Sequence, residues 1–183
     1  MTSRVSGADV EIGSPPEASA QTTVLPVTRP PIRQAILVRS DARHSFETFV
    51  RTIGVWWPVR QFSPGGGRVR DVTVEGRTGG RVYETWADGT VVEWGELTIW
   101  SPPHGFVMTW VTTPAPTEVE LTFQALGPAL TRVLVEHRGW ENLTEEQLTV
   151  TCGLPGGYAA NAFAIGWAYI LSCFAASTEL PER

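Results

Sequence analysis

The stretch Trp94–Trp110 constrains this chain more than any other. It runs Trp-Gly-Glu-Leu-Thr-Ile-Trp, then Ser-Pro-Pro-His-Gly, then Phe-Val-Met-Thr-Trp. Two runs rich in β-branched and aromatic residues flank a short break. Pro102 and Pro103 cannot continue a hydrogen-bonded ladder and Gly105 can take the positive φ of a turn, so the pattern predicts a β-hairpin. Pairing Trp100 with Phe106 puts Trp94, Trp100, Phe106, Met108 and Trp110 on one face. Each large aromatic side chain buries about 150–250 Å². That face therefore requires a partner, which either closes over it or leaves a cavity.

The remaining elements follow in order. Met1 to about Pro31 is rich in Ser, Thr, Pro and Ala, and reads as a disordered arm. Gln34–Ser40 is a first strand. Asp41 is placed to cap a helix from Ala42 to about Ile53, with Phe46, Phe49, Val50 and Ile53 on its apolar face and Gly54 ending it. Trp56-Trp57-Pro58 and a Gly65-Gly66-Gly67 loop follow. Strands are predicted near Arg70–Glu75, Arg81–Trp86, Thr90–Trp100, Phe106–Thr112, Glu118–Gln124 and Thr131–Arg138, with short turns between them, hence an antiparallel meander. Alternation puts Val119, Leu121 and Phe123 on one face, and likewise Val133, Val135 and His137. Val82, Glu84 and Trp86 share the face of Trp94. Thr144 to Gln147 is a capping box opening a short helix. After Pro155-Gly156-Gly157 a long final helix ends near Ser177, with Phe163, Trp167, Ile170 and Phe174 as its main apolar stripe.

Composition removes several classes of function. The 183 residues carry a formal net charge of -5, and no basic stripe is present, so nucleic acid is not expected as a partner. The two cysteines, Cys152 and Cys173, form no disulfide framework. The N-terminus lacks a basic region followed by an apolar run, so a cytoplasmic location is expected. Gly153–Thr178 has no charged residue, but it is alanine-rich, carries Asn161 and Ser172 and lacks a preceding Lys or Arg. It reads as a buried core helix, and no membrane span is expected. His44, His104 and His137 lie on different elements, so no metal is expected. Neither a Gly-x-Ser-x-Gly elbow nor a phosphate-binding Gly-x-x-x-x-Gly-Lys loop occurs, and no cofactor is expected.

The order strand, helix, six-stranded meander, long terminal helix, together with several short motifs, resembles the START-like (SRPBCC) superfamily. The resemblance is to its branch related to the activator of the heat-shock-protein-ninety ATPase. The motifs are Trp56-Trp57-Pro58, Gly79-Gly80-Arg81-Val82, Trp94-Gly95-Glu96-Leu97, Pro102-Pro103 before Phe106-Val107-Met108-Thr109-Trp110, Glu136-His137-Arg138-Gly139-Trp140 and Gly166-Trp167. The resemblance spans about Ile32 to Ala176. It implies an α+β helix-grip fold (START/Bet v-like), a curved antiparallel sheet wrapped around the long C-terminal helix. The expected division is an arm at 1–31, the helix-grip domain at 32–178 and a tail at 179–183. The superfamily's cavities hold lipids, hormones, polyketides or other hydrophobic molecules, and some members are cyclases or aromatases. Fold alone does not choose among these.

The expected ligand is a small hydrophobic or aromatic molecule lying between sheet and last helix. The residues expected around it are Trp56, Trp57, Glu84, Trp86, Trp94, Trp100, Met108, Trp110, Phe123, His137, Phe163 and Trp167. Trp56 and Trp57 form either a lid at the mouth or a satellite core under the glycine loop. Glu84 and His137 are the polar residues of the inner face. A carboxylate set against indoles loses water, which disfavours its charged form. Glu84 is then a general acid or base, or a ligand anchor, unless it pairs with Arg70 or Arg81 or sits at a wet rim. A cyclase or aromatase-like enzyme would use Glu84 with His137, and His137 alone reads more simply as a satisfied structural histidine. A chaperone ATPase cofactor is a third reading. On the last helix, Tyr158, Asn161, Ile165, Tyr169 and Ser172 form an uncharged outer face, which suggests a homodimer contact through Tyr158, Ile165 and Tyr169, or cover from the N-terminal arm.

Overall fold

The computed structural model describes residues 28–150 and 154–178. The expected arm up to Val27, the tail at 179–183 and Cys152 lie outside the described residues.

One seven-stranded antiparallel sheet has the order β1-β7-β6-β5-β4-β3-β2. The strands are β1 (Ile32–Val38), β2 (Val69–Val74), β3 (Arg81–Trp86), β4 (Val91–Ser101), β5 (Gly105–Trp110), β6 (Thr117–Gly127) and β7 (Leu130–Arg138). β2 to β7 form the expected meander, and β1 joins its far edge by pairing with β7, Gln34 opposite Val135. Among the described residues five α-helices accompany the sheet: α1 (Ala42–Arg51), α2 (Ile53–Trp56), α3 (Val59–Phe62), α4 (Gln147–Val150) and α5 (Ala162–Thr178). The architecture is the expected α+β helix-grip fold, a curved sheet around a long C-terminal helix.

Local chemistry explains the element ends. The Asp41 carboxylate accepts from the His44 backbone N–H at 2.9 Å, satisfying a first-turn donor of α1. The capping box closes in both directions: Thr144 N–H donates to Gln147 Oε1 at 3.0 Å and Gln147 N–H donates to Thr144 Oγ1 at 3.3 Å. Gly54 does not end α1. The helix stops at Arg51, and Gly54 lies inside α2, where an added Cβ would come within 3.0 Å of the Val72 amide nitrogen on β2.

The hairpin pairs Trp100 with Phe106, as expected. Simple alternation fails along β4, however. Register shifts occur between Leu97 and Ile99 against β5, and on the other side of β4, where Val82 pairs with Gly95 but Tyr83 with Glu93. An extra residue at a bulge resets which face the next side chain takes. Leu97, which alternation sends outward, is thereby fully buried opposite Met108, on the same side as Trp94 and Trp100.

α1 and α5 lie on the concave face, and their aromatic side chains fill one half of it. Phe49 meets Phe174 at 5.0 Å, Phe123 at 5.6 Å and Trp56 at 4.7 Å between ring centroids. Phe46 packs on Trp100 at 5.2 Å and Phe123 at 5.4 Å. Tilted and edge-to-face pairs at these distances are the favoured aromatic geometries. No helix among the described residues is long and apolar enough to cross a membrane.

Candidate functional site

The other half of the concave face is not filled. A cleft of about 500 Å³ opens there, within the size range of small-molecule sites. The sheet supplies Trp110 from β5 and His137 from β7. α5 supplies Phe163, Gly166, Trp167 and Ile170, on one stripe as the helical period requires. Trp57, Gln61, Phe62, Ser63 and Pro64 form the facing wall, and the β5–β6 turn adds Thr112, Thr113 and Pro114.

Of the residues expected around a ligand, the structure brings five to the cleft: Trp57, Trp110, His137, Phe163 and Trp167. The other seven lie away from it. Trp56, Trp100 and Phe123 belong to the packed half, and Met108 is buried between its strand neighbours Leu97 and Val119. Glu84, Trp86 and Trp94 form a separate polar corner behind Trp57. Trp56 and Trp57 thus part company. Both are buried, but Trp56 stacks on Phe49 and Phe174, whereas Trp57 sits among Trp94, Trp110 and Trp167 at 4.9, 6.3 and 5.8 Å. Gln61, Phe62, Ser63 and Pro64 escaped sequence reasoning because Val59–Phe62 is a single short helical turn without periodicity. The Pro114–Pro116 turn of the sequence was the only signal for the Thr112–Pro114 wall.

Glu84 is fully buried and pairs with neither Arg70 nor Arg81. Its carboxylate accepts three N–H bonds: from Gly65 at 2.6 Å, from Trp86 Nε1 at 2.6 Å and from Trp94 Nε1 at 3.0 Å. Arg81 pairs instead with Glu75 at 3.0 Å. The Arg68 guanidinium lies 3.6 Å from the centroid of the Trp86 ring, a cation–π contact closing the outer side of this corner. Gly65 is needed for the close approach, because a Cβ there would meet Glu84 Oε1 at 2.7 Å. The carboxylate therefore ties the Ser63–Gly65 segment, one lip of the cleft, to the sheet.

His137 is also fully buried, and burial pushes its imidazole down to about 3, so the ring is neutral at ordinary pH. The Trp167 indole N–H donates to Nδ1 at 3.2 Å. An indole nitrogen can only donate, so Nδ1 is the acceptor and the ring proton sits on Nε2, 2.8 Å from Thr117 Oγ1. Thr117 in turn lies 3.2 Å from Thr113 Oγ1, which donates to the Ala115 carbonyl at 2.8 Å. Every polar atom of this relay is satisfied within the protein. Glu84 and His137 share the inner face, but β4, β5 and β6 separate their strands. The structure does not bring them to one substrate position. Among the described residues no three of His, Cys, Asp and Glu gather as a metal set.

The family model for Activator of Hsp90 ATPase homolog 1-like protein matches residues 51–174. No curated protein matches the chain. Among solved structures, an HSP90 activator from Plasmodium falciparum is 16% identical, covers 85% of this chain and 100% of its own, and superposes with a TM-score of 0.56. The self-sacrificing resistance protein CalC from Micromonospora echinospora is 24% identical, with 82% and 94% covered and a TM-score of 0.54. An anthrahydroquino-gamma-pyrone synthase is 27% identical over 81% of this chain and 97% of its own, with a TM-score of 0.49.

Proposed function

The chain belongs to the Activator of Hsp90 ATPase homolog 1-like family within the START-like (SRPBCC) superfamily, and from that premise we propose that it binds a small hydrophobic or aromatic molecule in the cleft between the sheet and α5. The observation that carries this reading is the unequal filling of the concave face. Phenylalanines interlock over one half, while Trp57, Trp110 and Trp167 border about 500 Å³ of space over the other. Rigid indole faces around a void provide apolar contact at little ordering cost, which favours a flat apolar ligand. Residues 32–178 form the binding unit in this reading.

The cyclase or aromatase-like alternative loses its pair of acid–base groups, since Glu84 is occupied by three protein N–H groups away from the cleft and His137 is neutral with both nitrogens engaged. Binding without turnover accounts for the geometry more simply. Native mass spectrometry of freshly purified protein, paired with tryptophan fluorescence against a panel of lipids and aromatic compounds, tests the reading. We expect a co-purified small molecule, or quenching that is lost when Trp110 and Trp167 are replaced by leucine. An empty protein whose fluorescence no compound alters would refute it.

The homodimer reading rests on Ile165 and Tyr169, 57% and 49% exposed on α5. Tyr158, expected on the same helix face, instead precedes α5 and is half-buried by its own chain, its ring 5.0 Å from that of Trp140 and its hydroxyl donating to the Pro30 carbonyl at 2.9 Å. Equilibrium sedimentation of wild type and Ile165→Glu protein tests it, and a wild-type monomer would end it.

A further inference from the structure

Two kinds of polar group border the cleft, and they differ in whether they are already spent. On the sheet side His137 uses one nitrogen on Trp167 and the other on Thr117, and Thr113 closes on Thr117 and Ala115. At the outer wall the groups are uncommitted. Among the described residues the Gln61 amide and the Thr112 hydroxyl have no hydrogen-bond partner, and both residues are exposed. Ser63 Oγ accepts from Gly66 N–H at 3.1 Å, leaving its own proton free. None of the lining side chains is charged.

We propose that the cleft takes a neutral, planar aromatic molecule in one orientation. Its apolar rings lie inward against Trp110, Phe163 and Trp167, and a neutral amide, ketone or hydroxyl lies outward at Gln61, Ser63 and Thr112. This rests on the ligand-binding reading given above. A polar group turned inward would face indole rings and a buried relay whose N–H and O–H donors are all spent, so a carbonyl or hydroxyl oxygen there would lose its hydrogen bonds to water without replacement. An apolar ring there loses nothing. A carboxylate at the outer wall would shed part of its water with no charged side chain among the lining residues to compensate, on a chain whose net charge is -5, and both effects oppose it. Ligand charge and ligand orientation thus follow from the same lining.

Three naphthalenes of nearly equal size test this by calorimetric titration of the full chain at pH 7: 2-naphthamide, 2-naphthoate and 2-methylnaphthalene. The amide is expected to bind at least about 10-fold more tightly than the carboxylate, because the carboxylate has no N–H to give the Gln61 side-chain carbonyl and carries a charge that is partly stripped of water. In a Gln61→Ala, Thr112→Val double variant, both positions being exposed, 2-naphthamide is expected to weaken about 5- to 20-fold while 2-methylnaphthalene stays within about twofold. Equal or tighter binding of the carboxylate, with the methyl compound still bound, overturns the inference and leaves the cleft a ligand site. A double variant that weakens the amide and the methyl compound alike also overturns it. Failure of all three naphthalenes to bind defeats the ligand-site reading along with it.

Discussion

The concave face has two halves built from similar residues, and only one is closed. In the first, Phe46, Phe49, Phe123 and Phe174 interlock with Trp56 and Trp100. In the second, Trp57, Trp110 and Trp167 touch one another at 5.7–6.3 Å between centroids yet leave a cleft beside them. The closed half lies where α1, α2 and α5 all supply aromatic rings. The open half lies where the covering chain is a single helical turn, Val59–Phe62, and a polar loop. Aromatic content does not decide whether a surface is sealed. The number of rigid elements converging on it does.

Truncation should separate the halves most sharply. Phe123→Ala removes a ring held between Phe46, Phe49 and Phe174, and should cost about 4 kcal/mol of unfolding free energy in urea titration. Trp110→Ala, half-buried beside existing space, should cost less than half as much despite the larger side chain. Equal losses would erase the distinction between the two halves.

His137 should give an effect of nearly the same size, read through pH. Its folded-state pKa, about 3, lies below the ordinary value near 6.5, so in that window the unfolded chain binds the extra proton. The contribution is fully present above pH 6.5 and is lost as pH falls toward 3, amounting to roughly 4 kcal/mol at pH 3. Comparison with His137→Gln isolates this term from titration of the carboxylates. The stability difference between the two proteins should shrink by that amount between pH 7 and pH 3, and parallel curves would show that His137 is not held neutral.

Glu84→Leu comes next, at about 3 kcal/mol, because three buried N–H donors lose their acceptor while the new side chain recovers part of the loss by burial. Glu84→Gln keeps one oxygen and should cost roughly half as much. A neutral outcome for Glu84→Leu would mean that Gly65 and the two indoles find other acceptors.

The smallest expected change is at Gly166, which allows the Phe62 ring to rest on α5. A Cβ there would lie 2.9 Å from Phe62 Cε1. The helix gains about 1 kcal/mol of propensity from Gly166→Ala and loses a similar amount to the displaced ring. Stability should stay within about 1 kcal/mol while ligand affinity in the cleft changes, as thermal melts and calorimetric titration on the same samples would report. Unchanged affinity would mean that Phe62 does not shape the opening.

Much of the fold was legible locally. The Trp100–Phe106 register, the Asp41 cap, the Thr144–Gln147 box and the inward setting of Glu84 and His137 all follow from turn chemistry and a period of two, which act over a few residues. The bulges of β4 were not legible, because an extra residue on a strand depends on what its two neighbours need. They carried Leu97 inward against the alternation.

The sequence by itself determined which side of the sheet most strand residues face, the bulged β4 excepted, and that a large aromatic surface must be covered. Tertiary structure alone decided where along that surface cover runs short, and so why five of twelve expected ligand neighbours border the cleft. The reason is physical: alternation is a property of one strand, whereas an unfilled volume depends on how three helices and a loop meet the curve of the sheet, and no single segment encodes that sum.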